Sequence, residues 1–219
     1  MKKNKKAICL ISGGLDSAVA TAIANKKGFE LHFLFLSYGQ KTLKKERECV
    51  GNLTAFFHPK KVWEVKIPWL KEFGGSGLFD KNISLDEKNF RLEYVPFRNS
   101  IFLSIATALA EATDADYLFI GSSGGDHICP DNSPSYLSSF QKVIEYGTML
   151  KKGIKIVAPL SKIDKRKTIK MGYKFNVPFE LTWSCHNSIK LACGHCSNCK
   201  TRLEAFKLNG SIDPIKYQK

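Results

Sequence analysis

No stretch of this 219-residue chain is apolar for long enough to cross a membrane, and only five apolar residues separate MKKNKK from the first Ser-Gly-Gly turn, too few for a secretory signal. A cytoplasmic protein is expected. Arginine is scarce: five of the 34 basic residues are Arg, so the net charge of +14 rests on lysine, and the side chain best suited to bidentate readout of bases is in short supply. The clusters KKNKK, KKVW and KTLKKER therefore read as a solvated surface, compatible with a basic rim that attracts an anionic ligand. Neither a membrane nor a directly bound nucleic acid is expected as a partner, and a homodimer is left open. Internal repeats and low-complexity segments are missing too. So are the commonest phosphate signatures: neither G-x-x-x-x-G-K-[ST] nor G-x-G-x-x-G follows the first apolar run.

What stands there is ICLISGGLDSAVATAIA, residues 8–24. The short apolar run 7–11, bounded by a glycine pair, reads as a buried strand of a parallel sheet. Ala18, Val19, Ala22 and Ile23 then recur at helical spacing, with Lys26, Lys27 and Gly28 as stop signals. A strand, a glycine turn and a helix N-terminus make an anion site, because unpaired N–H groups and the positive end of the helix dipole converge there. The bland alternative is an ordinary turn capped by Ser and Asp. Ser12-Gly13-Gly14-Leu15-Asp16-Ser17 is similar to the S-G-G-x-D-S pyrophosphate loop of enzymes that cleave ATP between its α- and β-phosphates. The glycines allow close backbone approach, Ser12 and Ser17 add hydroxyls, and Asp16 can orient the loop or help hold Mg²⁺.

The remaining pattern alternates strand and helix. Strands are expected at 29–37, 62–67, 117–120 and 155–159, and helices at 41–57, 99–112, 136–149 and 163–171, the last closed by Gly172. Residues 68–96 contain GGSG, few apolar residues and many charges, and read as a mobile active-site loop; 122–135 reads as a loop on turn composition. Strand ends at Ser12, Ser37 and Gly121 lead into turns, where open α/β sheets bind ligands. With 43% hydrophobic residues, one full core with a small appendage is expected.

Seven cysteines in a reducing compartment are not a disulfide framework, so their clustering matters more than their number. Cys185, Cys193, Cys196 and Cys199 fall as C-x7-C-x2-C-x2-C, a spacing that can close a tetrahedron around one Zn²⁺. An iron–sulfur cluster uses the same ligand type, but nothing else suggests redox chemistry. His186 and His195 are expected beside the metal rather than on it. Cys9 and Cys49 read as core residues, and Cys129 falls in the 122–135 loop.

Taken in order, ISGGLDS (11–17), SYGQK (37–41), VPFRNSIFLSIA (95–106), APLSKIDKRKTIKMG (158–172) and TWSC…CGHCSNCKTRLEAF (182–206) resemble the 7-cyano-7-deazaguanine synthase family. The resemblance implies a Rossmann-like, doubly wound parallel α/β sheet of the adenine nucleotide alpha hydrolase type, spanning 1–180, with a zinc-binding segment at 181–219 packed on it. It implies an ATP-dependent ligase of queuosine biosynthesis that joins ammonia to 7-carboxy-7-deazaguanine and makes a nitrile through adenylated intermediates, with structural Zn²⁺ and with Mg²⁺. Asp16, Ser17, Arg98 and Lys165 would carry the chemistry. ATP would be held by Ser12, Gly13, Gly14, Leu15, Asp16, Ser17, Tyr38, Gln40 and Gly121. Trp183, Arg202 and Phe206 also fall on the family pattern.

The sequence departs from that pattern in two places. The family's V-P-G-R-N is Val95-Pro96-Phe97-Arg98-Asn99 here, which puts a ring at a position expected to face the site. The substrate-side loop D…Y-P-D-C-R-P-E-F keeps Asp126, Pro130, Asp131 and Pro134 but carries Cys129, Asn132, Ser133 and Ser135 where Tyr, Cys, Arg and Glu are usual. The nucleotide half is thus intact and the acceptor half altered. Two further readings stay open: a diverged paralogue that passes an adenylated 7-deazaguanine-type acid to a different amine, and a tRNA-modifying thiolase.

Overall fold

The computed structural model describes residues 5–124, 129–149 and 153–218. Five strands form one parallel sheet in the order β3-β2-β1-β4-β5: β1 (Lys6–Leu10), β2 (Glu30–Ser37), β3 (Lys61–Lys66), β4 (Tyr117–Phe119) and β5 (Lys155–Val157). Each parallel pair needs a crossover, and helices α1 (Leu15–Lys26), α2 (Leu43–Phe57), α4 (Arg98–Ala112) and α5 (Pro134–Gly147) lie in those connections. The chain order runs outward from β1 to β3 and then returns to β4, so the direction of winding reverses between β1 and β4. Ligands of open α/β sheets bind at that reversal.

Alternation along the central strands sorts the core into two layers. Ala7, Cys9, Phe33 and Phe35 face one side, where they pack with Val19, Ile23 and Phe206; Ile8, Leu34 and Leu36 face the other, with Leu103, Ala106 and Ile144. Both faces are apolar because both are covered, which is why these strands read as continuous hydrophobic runs. Helix α1 is buried along most of its length by small residues, Ala18, Ala20, Ala22 and Ala24, which let it lie close to the sheet. Helices α6 (Lys165–Lys174) and α7 (Ser197–Lys207) close the first layer, and Ala205 and Phe206 of α7 belong to its core.

Several elements differ from the sequence expectation. Segment 68–96 is packed rather than loose: after a one-turn helix α3 (Trp69–Glu72), Leu70, Leu78, Phe79, Leu85 and Val95 form a third apolar cluster with Tyr38 and Ile67. Its few apolar residues have no period, yet they converge. Helix α5 begins two residues early because Ser133 caps it, its Oγ accepting from the Tyr136 N–H at 3.2 Å, with Pro134 in the first turn. Helix α6 begins at Lys165 behind the cap Asp164 and runs through Gly172. That glycine provides space: a Cβ there would lie 2.1 Å from the Phe179 ring.

Candidate functional site

The chain leaves β1 at Ile11 and turns through Ser12-Gly13-Gly14 into α1. Gly13 has φ +76°, and a Cβ on it would lie 2.7 Å from the Glu46 carbonyl oxygen and 2.9 Å from Cys49 Cβ, so only glycine lets the turn press against α2. Gly121, just past β4, meets the other side of the turn; a Cβ there would be 2.6 Å from the Ser17 nitrogen. The loop also ties itself together: Ser17 Oγ donates to the Gly14 carbonyl (2.8 Å) and accepts from the Ser12 N–H (3.2 Å), and the Gly14 N–H donates to Ser12 Oγ (3.2 Å). No side chain caps α1, so its first N–H groups are left facing the cavity above the sheet.

That cavity, about 860 Å³, is lined by Ser12, Gly14, Leu15, Asp16, Ser17 and Gly121 at one end. Lys165, at the start of α6, reaches Asp16 Oδ2 at 2.5 Å. Asp16 Oδ1 is buried with no hydrogen-bond partner among the described residues, as is Ser123 Oγ on the same wall. A carboxylate oxygen left without a donor beside an anion site is fit for a divalent cation. Arg98, from the first turn of α4, donates to the Tyr38 hydroxyl (3.1 Å) and lies over the Tyr38 and Phe102 rings, 5.5 and 5.8 Å from their centroids. Burial raises the Tyr38 hydroxyl above its ordinary pKa, opposed by the Arg98 charge. The phenol is therefore a neutral hydrogen-bonding group at pH 7.

Not every expected residue meets this cavity. Gly13 lies behind the turn, where its carbonyl accepts the Trp183 N–H at 2.9 Å. Gln40 is turned away, its Oε1 accepting from the Tyr38 N–H (2.9 Å) and its Nε2 donating to Glu46 Oε2 (2.8 Å). Phe97 does not face the site. It is 60% exposed and holds a left-handed backbone (φ 56°) immediately before α4, a conformation that glycine adopts at less cost. In the altered loop, Cys129, Asp131 and Asn132 line the cavity, whereas Ser133 and Ser135 bond each other at the start of α5. Asp126 lies outside the described residues. Asp131 is buried and accepts from the Ser100 N–H and from Asn99 Nδ2, satisfying the N-terminus of α4.

The opposite wall comes from residues 183–202 and from the 3₁₀ turn Phe90–Glu93. Cys185, Cys193, Cys196 and Cys199 are all buried, with their sulfurs within 4.8 Å of one another. Tetrahedral ligands at a Zn–S length of about 2.3 Å stand about 3.8 Å apart, so this set fits such an ion after a small contraction. The N–H groups of Asn187 and Cys193 point at Cys185 Sγ, 3.4 and 3.3 Å away. Hydrogen bonds from Cys196 and Cys199 hold the Cys185 thiol far below its ordinary pKa, and the same contacts push Cys199 far above it. Neither His186 nor His195 belongs to the ligand group. His195 Nδ1 is 2.9 Å from the Cys193 carbonyl oxygen, while His186 turns toward Glu93. Burial alone would raise the Glu93 carboxyl, but His186 and Ser197 outweigh it and hold the group below the usual carboxylate range. Glu93 was invisible to sequence reasoning, since its partners lie about a hundred positions away.

A parallel sheet reversing beside an uncapped helix N-terminus, with S-G-G-x-D-S at the turn, defines a nucleotide-binding α/β protein of the pyrophosphate-loop class. Solved structures agree on the fold. A 4-thiouridine synthetase in complex with RNA and ATP matches 81% of this chain at 22% identity and TM-score 0.54, the match covering 42% of the synthetase. The U34-tRNA thiolase NcsA from Methanococcus maripaludis matches 95% of the chain, and 66% of its own, at 17% identity and TM-score 0.53. The family model described as queuosine biosynthesis protein QueC matches residues 6–210. A 7-cyano-7-deazaguanine synthase from Sulfurovum sp. is 41% identical over 98% of this chain and 99% of its own length. One from Methanospirillum hungatei is 40% identical over 97% of this chain and all of its own. The chain belongs to the QueC family, the 7-cyano-7-deazaguanine synthases. Among the described residues, no helix is long and apolar enough to cross a membrane.

Proposed function

We propose that this chain is a cytoplasmic, ATP-dependent ligase that converts 7-carboxy-7-deazaguanine and ammonia to 7-cyano-7-deazaguanine. The observation that supports it is the uncapped N-terminus of α1 opening, with Lys165 and Arg98, into one cavity in a chain 41% identical to a named synthase. A carboxylate resists ammonia because oxide would have to leave. Attack of a carboxylate oxygen on the α-phosphorus of ATP expels pyrophosphate and installs AMP as a leaving group; ammonia then displaces AMP, loses a proton and gives the amide. In a second round the amide oxygen attacks another α-phosphorus, and loss of AMP and of the nitrogen-bound protons leaves the nitrile.

The residues supply charge stabilisation at each departure. The N–H groups of Leu15, Asp16 and Ser17, with Lys165 and Arg98, would take up the charge that develops on pyrophosphate. Asp16 would hold Mg²⁺, which when bound neutralises phosphate oxygens. Cys185, Cys193, Cys196 and Cys199 would hold Zn²⁺ in a structural role, since four thiolates leave no open position for substrate. Of the family's altered residues, Cys129 and Asn132 line the cavity, and they favour a second reading in which another amine intercepts the adenylate. One assay separates the two. With the acid, ATP, Mg²⁺ and ammonium, mass spectrometry should find nitrile with two AMP and two pyrophosphate per product. AMP and pyrophosphate accumulating without nitrile would promote the other amine.

A further inference from the structure

Glu93 has no part in the phosphate chemistry above, yet it is 8% exposed on the wall of the same cavity. Its Oε1 accepts from Ser197 Oγ at 2.5 Å and its Oε2 from Asn198 Nδ2 at 3.0 Å. His186 Nδ1 lies 3.3 Å from Asn198 Nδ2 and 3.5 Å from Glu93 Oε2. Ser197 and Asn198 open the 11-residue helix α7, whose positive end favours a carboxylate beside it. The group is thus fixed in orientation by a donor at each oxygen. A carboxylate oxygen has two lone pairs, and His186 Nδ1 comes no closer to Oε2 than 3.5 Å, too long to use one up, so one remains on each.

Two acceptors held side by side on a cavity wall match a ligand that offers two adjacent N–H donors. Of the two purine-like rings this cavity would receive, only one offers that. A 7-deazaguanine presents N1–H and a 2-amino N–H along one edge. Adenine presents one donor beside a ring nitrogen whose lone pair a carboxylate repels. We propose that Glu93 reads the N1–H and 2-amino edge of the acid substrate and thereby keeps the adenine of ATP out of the acid's position. This rests on the substrate class proposed above.

The test is a cycle in which the protein and the ligand are altered separately. Pyrophosphate release is measured at saturating ATP for wild type and Glu93→Gln, with 7-carboxy-7-deazaguanine and with its analogue lacking the 2-amino group. For the wild type, removing that amine should raise the KM for the acid about 100-fold, because a buried charged acceptor is left unmet, with kcat changing far less. Glu93→Gln should show a similar loss with the parent acid, keep the KM for ATP and the bound metal, and be nearly indifferent to the missing amine. A variant that keeps the parent KM within about threefold, or that remains as sensitive to the amine as wild type, overturns the inference. If the variant fails to fold, the wild-type arm decides alone: equal KM values for the two acids overturn it. Absence of any pyrophosphate release by the wild type with the parent acid removes the proposed function as well, whereas normal release with a Glu93→Gln variant that behaves as wild type toward both acids removes only this inference.

Discussion

Replacing Asp213 by Asn should be among the most destabilising single changes available. The side chains of Asp213 and Arg202 are each 1% exposed and form a bidentate pair, Nε to Oδ2 at 2.7 Å and Nη2 to Oδ1 at 2.9 Å. The guanidinium is otherwise satisfied by Thr182 Oγ1, Ser184 Oγ and the Phe179 carbonyl, and Tyr217 donates to Asp213. Asn keeps the volume but removes the charge, leaving a buried cation without a counter-ion, which costs about 3–5 kcal/mol. At about 2.1 cal/mol/K per residue, unfolding 219 residues carries an entropy of about 0.46 kcal/mol/K, so the melting temperature should fall by about 6–11 °C. Urea denaturation with an unchanged m-value gives the free energy, and calorimetry gives the shift. Replacing both partners, Arg202→Met with Asp213→Leu, should recover part of the loss, because no charge then remains to bury, while the Phe179 carbonyl and the Tyr217 hydroxyl each lose a partner. A loss below about 1 kcal/mol in Asp213→Asn, or a double variant no better than the single, would refute the reasoning.

Asp16→Asn and Lys165→Ala should each cut kcat/KM for ATP-dependent pyrophosphate release by about 100-fold or more; the melting point should hold, since the pair is 20–26% exposed and worth little to stability. Near-normal turnover in either would take the pair out of the mechanism. Phe97→Gly should raise stability by up to about 1 kcal/mol, relieving a left-handed residue at the cost of some backbone freedom; a loss of similar size in urea denaturation would count against that account. Elemental analysis should find one zinc per chain, and a chelator should unfold the region around it, followed by circular dichroism; iron in its place would overturn the assignment. Cys9 and Cys49, whose thiols burial pushes up to about 12 and about 11, should resist iodoacetamide at pH 8 in the native protein, as peptide mass spectrometry would show.

The strand–turn–helix at residues 6–26 was legible because three signals coincide there: a continuous apolar run, a glycine pair and small residues at helical spacing. The cysteine cluster was legible for a different reason, since three of its four members are close in sequence and spacing nearly implies geometry. Segment 68–96 misled because burial there depends on Leu70, Phe79 and Leu85 meeting Tyr38 and Ile67 from elsewhere, without any local period. Gly172 misled because a glycine making room for the Phe179 ring looks the same in sequence as one ending a helix. Gln40 sits beside Tyr38 in sequence, yet only the tyrosine reaches the cavity, because the glutamine amide is taken up by the turn itself.

The nucleotide loop and the cysteine segment are distant in sequence but form one mechanical unit. Trp183 donates its backbone N–H to the Gly13 carbonyl and its indole N–H to the Cys185 carbonyl at 3.0 Å, so one residue grips the anion turn on one side and a candidate metal ligand on the other. Arg202 holds Thr182 and Ser184, on either side of that tryptophan, while its own helix carries Cys199. A turn whose N–H groups must face developing charge has to be held before the charge arrives, because reorienting it during reaction would consume the stabilisation it offers. Four sulfurs gathered around one ion would anchor the far side of that grip. A metal held there would bear on catalysis without touching a substrate, through the distance between Cys185 and Gly13 that Trp183 spans.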